Sequence, residues 1–281
     1  MVSTLAAVED RFHTAETEKR DLREKTYRAI AQRQIAFGSP LLANIGRGHS
    51  PSSSCTLIPV DLRKSIEEVK KVITPYFQAG MGSGFDLSDV EDPVGTLREL
   101  NKTLLEIEEP HKRPPCGMAL LMVDHPRVLE FVTMKREDDF SRWRFNLSVG
   151  ITDAFMHAVQ EDQEWTFKNG EKRSAKEIFQ AIVDSAHYCG EPGMVFMDSF
   201  KKDNPVPSLE YKSVAPCAEI AMAPGEVCQF SYLNLAEMVQ KQKGGSLTFD
   251  FETLKQTTTL LTQLLDNGVE LSIENAVAVT P

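Results

Sequence analysis

Five cysteines, at 55, 116, 189, 217 and 228, have the widest chemical reach of any residues in this 281-residue chain. Thiols in pairs carry two reducing equivalents through a disulfide. No two of the five form a C-x-x-C pair, and five are too few for a secreted disulfide framework. In a reducing compartment the default reading of any one cysteine, taken alone, is a buried small hydrophobe. Position marks three of them. Cys55 opens the short apolar run Cys55-Thr56-Leu57-Ile58-Pro59-Val60, Cys228 opens another, and Cys217 lies in a proline-bounded segment with a carboxylate two residues on, in Cys217-Ala218-Glu219. From position alone, a structural and a chemical role for the loop cysteine stand level. The six histidines show no metal-ligand spacing, and His125 before Pro126 reads as the start of a helix.

The elements that must position these thiols alternate between strand and helix. Residues 5–36 carry apolar positions at near-helical spacing among many charges, which predicts one or two surface helices, stopped by Gly38-Ser39-Pro40. Residues 41–51 have loop composition, and the apolar run from Cys55 reads as a buried strand. Asp61 is the expected cap of a helix running to about Phe77, where Gly80, Gly82 and Gly84 predict a loop. A helix over 93–109, a strand over 118–123, a helix from His125-Pro126 and a strand over 145–149 follow. Helices near 152–160 and 174–188 then lead to a strand over 193–197. Four prolines within 204–224 predict a long loop carrying Cys217 and Glu219. Residues 227–235 return to strand character, 249–265 form the last amphipathic helix, and 270–281 read as a weakly patterned tail. Alternation of this kind predicts parallel pairing in an α/β sheet or barrel.

Bulk composition narrows the function. The chain is 41% hydrophobic and 26% charged, as a globular protein with a sizeable core is. A formal charge of -10 argues against binding a nucleic-acid polymer, which needs clustered cations facing phosphates. The charged N-terminal stretch lacks the apolar core of a secretion signal, and no apolar run approaches the roughly 20 residues that span a bilayer. The expectation is a cytoplasmic protein without a membrane span.

Blocks of residues running in order along the chain give a sharper reading. They are Phe37-Gly38-Ser39-Pro40-Leu41-Leu42-Ala43-Asn44-Ile45-Gly46, Ser53-Ser54-Cys55, Gly80-Met81-Gly82-Ser83-Gly84-Phe85-Asp86-Leu87-Ser88, the segment 113–131, and Asn146-Leu147-Ser148-Val149 with Asp153, Phe155 and Met156. Glu191-Pro192-Gly193-Met194-Val195-Phe196-Met197-Asp198, Asp203-Asn204-Pro205, Pro216-Cys217-Ala218-Glu219, Glu226-Val227-Cys228 and Leu233-Asn234-Leu235-Ala236 continue the series. From about residue 37 to residue 265 this pattern resembles the catalytic subunits of ribonucleotide reductases, most like the adenosylcobalamin-dependent kind.

The resemblance implies an α/β fold: about half of a ten-stranded α/β barrel over residues 37–281, preceded by a helical segment over 1–36. It implies deoxyribonucleotide synthesis by thiyl-radical chemistry, with adenosylcobalamin as cofactor and a ribonucleotide as substrate. By position, Cys217 would become the thiyl radical that removes the 3′ hydrogen. Cys55 and Cys228 would be the reducing pair, and Glu219 the general base on the 3′ hydroxyl. Ser39, Ser54, Gly82, Ala215, Pro216 and Ala218 fall on substrate-contacting positions, while Cys116 and Cys189 match none and read as core.

The pattern also departs from the family. Ala215 stands where the family has Asn, Ala218 where it has Gly, and Asp86 where Asn is common. Half a barrel leaves an open sheet edge and an apolar face, so a second chain or self-association is expected to cover them, and an external thiol to restore the reducing pair. Two other readings stay open: a relative repurposed for radical chemistry on another substrate, and an inactive nucleotide-binding or regulatory paralogue.

Overall fold

A computed structural model describes residues 16–44, 53–109, 113–136 and 138–277. The expected helical pattern at 5–15, most of the loop at 45–52 and the last four residues of the tail lie outside the described residues. The chain divides into two compact units, one of residues 1–54 with 227–281 and one of residues 55–226.

In chain order the elements begin with α1 (Glu16–Ala31), β1 (Ile35–Phe37), α2 (Ser39–Asn44), β2 (Cys55–Thr56), α3 (Ile66–Gln78) and β3 (Gly82–Asp86). Next come α4 (Pro93–Ile107), β4 (Gly117–Met122), α5 (Val128–Thr133), β5 (Phe145–Ile151) and α6 (Asp153–Gln160). The hairpin β6 (Glu164–Thr166) with β7 (Lys172–Ser174) leads to α7 (Ala175–Cys189), β8 (Gly193–Phe196) and α8 (Met197–Lys202). A short hairpin, β9 (Ser213–Val214) and β10 (Ala221–Met222), precedes β11 (Val227–Cys228), β12 (Ser231–Leu233), β13 (Val239–Lys241), β14 (Leu247–Phe249) and α9 (Phe251–Val277).

The unit of residues 55–226 is built on strands ordered β2-β3-β4-β5-β8, every neighbouring pair parallel. This is the parallel α/β sheet of a partial barrel, as the sequence predicts. Strand alternation sorts the two faces. Ala119, Leu121, Phe145, Leu147, Val149 and Ile151 point to the helical side, where they pack with α3 to α7 in the main core. Met118, Leu120 and Val195 point the other way and pack with Val214 and Ala221 of the β9–β10 hairpin. That hairpin therefore covers one face of the sheet while the helices cover the other.

Local chemistry explains most boundaries. The helix α3 starts at Ile66, with Ser65 and Glu68 forming a reciprocal capping box, and not at Asp61. The Asp61 carboxylate is engaged by Arg63, whose amide and Nε lie 3.1 and 2.8 Å from Oδ1, so it closes a turn instead. Asp92 caps α4 through Gly95 N at 2.8 Å, with Pro93 in its first turn. The glycine segment read as a loop is the strand β3, held between β2 and β4. The run from Cys55 is extended only as far as Thr56, and the proline-rich loop contains the β9–β10 hairpin.

In the other unit, β1 pairs antiparallel with β12, and Ile35, Phe37 and Leu41 pack with Leu22, Leu261 and Leu264 of α1 and α9. α2 occupies part of the expected loop at 41–51, and the helical backbone of α9 runs on through the expected tail to Val277.

Candidate active site

Gly82 on β3 is the centre around which Cys55, Cys116 and the loop carrying Cys217 gather. Its register partner on β2 is Cys55. On the other side Ser83 pairs with Gly117, and Ser83 N donates to Cys116 O at 3.2 Å, which sets Cys116 beside Gly82 at the entry to β4. A methyl group on Gly82 would lie 2.8 Å from Pro216 Cγ and 2.9 Å from Cys116 Sγ. Glycine is required here because the loop carrying Cys217 sits directly on the strand. At Gly84 an added carbon would land on the Val214 carbonyl oxygen, so the same clearance continues under β9.

Cys217 lies in the turn between β9 and β10. Ala215 N donates to Ile220 O at 3.0 Å and Ala218 N to Ala215 O at 2.8 Å, closing the turn, and Asn146 Nδ2 on β5 donates to Pro216 O at 2.7 Å. Ala218 has φ of 59°, the left-handed region that favours glycine. The Cys217 thiol is exposed, whereas Cys55 is buried and Cys116 half-buried. Desolvation, then the Glu219 carboxylate and Cys55, pushes the Cys217 thiol above its ordinary range. Cys116 is raised by burial, with Cys55, Cys217 and Glu219 adding to it and Arg113 opposing. The Arg113 Nη2 lies 4.0 Å from Cys116 Sγ, and its Nη1 donates to Gly80 O at 2.8 Å. Three thiols, one carboxylate and one guanidinium thus act on each other at one end of the sheet.

Glu219 also borders a cavity of about 690 Å³ next to Phe200, Tyr211 and the β8 residues Met194 and Phe196. Among the other expected residues of this unit, Ala215 and Pro216 are buried. Ala215 closes the turn through its backbone and Pro216 seats its ring on Gly82, while Ala218 is half-buried. Asp86 accepts from Ser88 N at 3.0 Å, and burial raises its carboxyl above the usual range.

Ser39, Ser54 and Cys228 belong to the other unit. Ser39 is exposed at the first position of α2, and Gly38 before it has Phe230 O only 2.7 Å from where a Cβ would stand. Ser54 and Cys228 are buried, and Ser54 N donates to Cys228 O at 3.1 Å. Sequence reasoning missed Cys116, Arg113 and Asn146. Asn146 had a visible signal, a polar residue alternating with Phe145 and Leu147 on a strand, but Cys116 had none apart from its place just before one.

A parallel α/β sheet thus carries a cysteine-bearing hairpin over one face, with further thiols at the strand ends beneath it. The family model described as "Ribonucleotide reductase, barrel domain" matches residues 53–280, and the chain belongs to that family. A vitamin B12-dependent ribonucleoside-diphosphate reductase of Mycobacterium tuberculosis is 29% identical over 95% of this chain and 41% of its own length. A protein of the same name from Thermoplasma acidophilum is 29% identical over 83% of this chain and 33% of its own. Ribonucleoside-diphosphate reductase large chain 2 of Saccharomyces cerevisiae is 24% identical over 88% of this chain and 34% of its own. The chain therefore spans about two fifths of the length of the first of these relatives. Among the described residues no helix is long and apolar enough to cross a membrane.

Proposed function

We propose that this chain supplies the thiol part of a ribonucleotide reductase active site, reducing the 2′ position of a ribonucleotide. The observation that carries the reading is the convergence on Gly82 of Cys55 and the loop that carries Cys217, with Glu219 two residues further along that loop. Cys217, as a thiyl radical, removes the 3′ hydrogen. Glu219 takes the 3′ hydroxyl proton, which eases departure of the 2′ hydroxyl as water. Cys55 and Cys228 then give two electrons and two protons and end as a disulfide, which an external thiol restores. The pairing of those two cysteines belongs to the same reading.

The exposed position of Cys217 fits a radical source that approaches from outside the chain, and adenosylcobalamin would supply the unpaired electron when bound. The reading includes further polypeptide, a second chain or a second copy, beyond β8. Met194 and Phe196 on that strand and Ile220 on the loop are exposed apolar groups at the sheet's free side. A cytoplasmic location belongs to the same reading.

One observation favours a substrate other than an ordinary ribonucleotide. Ala215 offers a buried methyl where the family has an amide, and a buried hydroxyl left without its partner costs roughly 1–3 kcal/mol.

The test is to combine the chain with polypeptide supplying the remaining barrel strands, adenosylcobalamin, a dithiol and each of the four ribonucleoside di- and triphosphates. Deoxynucleotide should form, Cys217→Ser should abolish it, and Cys189→Ser should not. Cofactor cleavage without deoxynucleotide would support the repurposed reading. Ligand binding that is indifferent to Cys217→Ser, with no cleavage, would leave only a binding protein.

A further inference from the structure

Cys116 has no part in the chemistry just described, yet its sulfur occupies the same spot as the loop that carries Cys217. Cys55 on β2, Gly82 on β3 and Cys116 just before β4 stand side by side, with the glycine in the middle. Register mates in a parallel sheet point to one face. A Cβ built on Gly82 meets Cys116 Sγ at 2.9 Å and Pro216 Cγ at 2.8 Å, so the sulfur and the ring before Cys217 crowd one point. The residue just before the loop thiol thus meets the Cys116 thiol over Gly82.

Distance decides which bridges can form. Two strand spacings separate the backbones of Cys55 and Cys116, roughly 9.5 Å, and a disulfide needs Cα atoms within about 7 Å. Those two cannot bridge each other while the sheet is intact. Cys217 follows Pro216, whose ring sits over Gly82, on a turn with a strained residue, Ala218, next to it, and it is exposed where Cys55 is buried. Of the two sheet thiols, Cys116 is the more accessible. It also has a guanidinium 4.0 Å from its sulfur, whose charge opposes the burial that raises this thiol.

We propose that Cys116 is a modification site of this centre, a thiol that closes a disulfide with Cys217 and so withholds the loop thiol from reaction. The oxidant is a low-molecular-weight disulfide. Cys217, the exposed partner, attacks it as thiolate, forming a mixed disulfide and releasing one small thiol. Cys116 then attacks the Cys217 sulfur, the protein disulfide forms, and the second small thiol leaves. Both protein sulfurs are oxidised by one electron each, and the two protons end on the released thiols. That the bridge blocks catalysis rests on the reading of Cys217 as the reacting thiol, but the bridge itself is read without turnover.

The test treats the folded 281-residue chain with oxidised glutathione, quenches with a maleimide, and maps linked peptides by mass spectrometry without reduction. The expected result is a Cys116–Cys217 linked peptide, an intact mass lower by two hydrogens for that pair, and full reversal by dithiothreitol. In Cys116→Ser the glutathione adduct on Cys217 should persist instead of resolving, accumulating at least tenfold over the wild-type level, while Cys189→Ser behaves as wild type. A Cys55–Cys217 linkage, or a stable adduct on Cys217 in the wild-type chain, would overturn the proposal. Because the wild-type map alone decides between these, the conclusion survives poor folding of any variant. Failure of the reductase reading would appear separately, as absent deoxynucleotide with the bridge still mapped.

Discussion

If the hairpin reaches its place only because β3 presents bare backbone to it, Gly84→Ala should dislodge the Cys217 loop while leaving the helical side of the sheet intact. The added carbon meets the Val214 carbonyl oxygen, with Ser213 Oγ at 2.9 Å beyond it. A backbone atom cannot swing aside as a side-chain tip can, so β9 must lift as a whole. Overpacking of this kind costs about 1–3 kcal/mol, and lifting also forfeits the Asn146–Pro216 hydrogen bond, another ~1 kcal/mol. The expected loss is about 2–4 kcal/mol by urea unfolding. Gly193→Ala is the control, since its nearest contact is the rotatable Ser148 Oγ at 3.1 Å, and it should stay within about 0.5 kcal/mol of wild type. Cys116, half-buried beneath Pro216, reports the hairpin directly. Its maleimide labelling should speed up about tenfold in Gly84→Ala, the change that ~1.4 kcal/mol of easier local opening gives. Equal stability of the two variants, with Cys116 labelling unchanged, would refute the claim that the glycines exist to seat the loop.

Ala218→Gly should stabilise the chain by about 1 kcal/mol, because an alanine at φ of 59° carries a left-handed penalty that glycine lacks, and thermal unfolding would read the gain. Lys135 is buried, its Nζ 2.7 Å from Glu191 Oε2 and also donating to Phe145 O. Lys135→Met should cost about 3–5 kcal/mol in urea unfolding, and Lys135→Met with Glu191→Gln should recover part of it. Asp86 holds its proton more tightly folded than unfolded because burial disfavours the anion, so this group loses stability as pH rises through and above 3.8. Asp86→Asn should therefore be more stable than wild type at neutral pH and indistinguishable from it well below 3.8, as denaturation midpoints across pH would show.

The parts of the fold legible in the sequence are those whose signals are local. The α4 helix has an Asp cap, a proline at its start and an apolar stripe from Val94 to Leu104, and α7 has a Ser cap with Ile178 and Ile182 buried at helical spacing. The hairpins β6–β7 and β13–β14 escaped detection although Asn169-Gly170 and Gly244-Gly245 are turn signals. Their strands, such as Lys172-Arg173-Ser174, are mostly exposed and carry no apolar alternation from which a strand could be read.

The glycine segment shows why the site itself was only half legible. Gly82 and Gly84 read as a loop because nothing within 80–88 reveals that Cys116 and Pro216 close on the first and Val214 on the second. Those contacts come from residues 34 to 134 positions away in the chain. The same distance in sequence hid Cys116, which has no neighbour of chemical interest until the sheet brings Cys55 and the Cys217 loop beside it. Local sequence can nominate a thiol that sits beside its own carboxylate, as Cys217 does with Glu219. A thiol whose fellow thiols all lie on other elements becomes visible only with the register, and here two glycines leave the room for the loop to close on the sheet beside it.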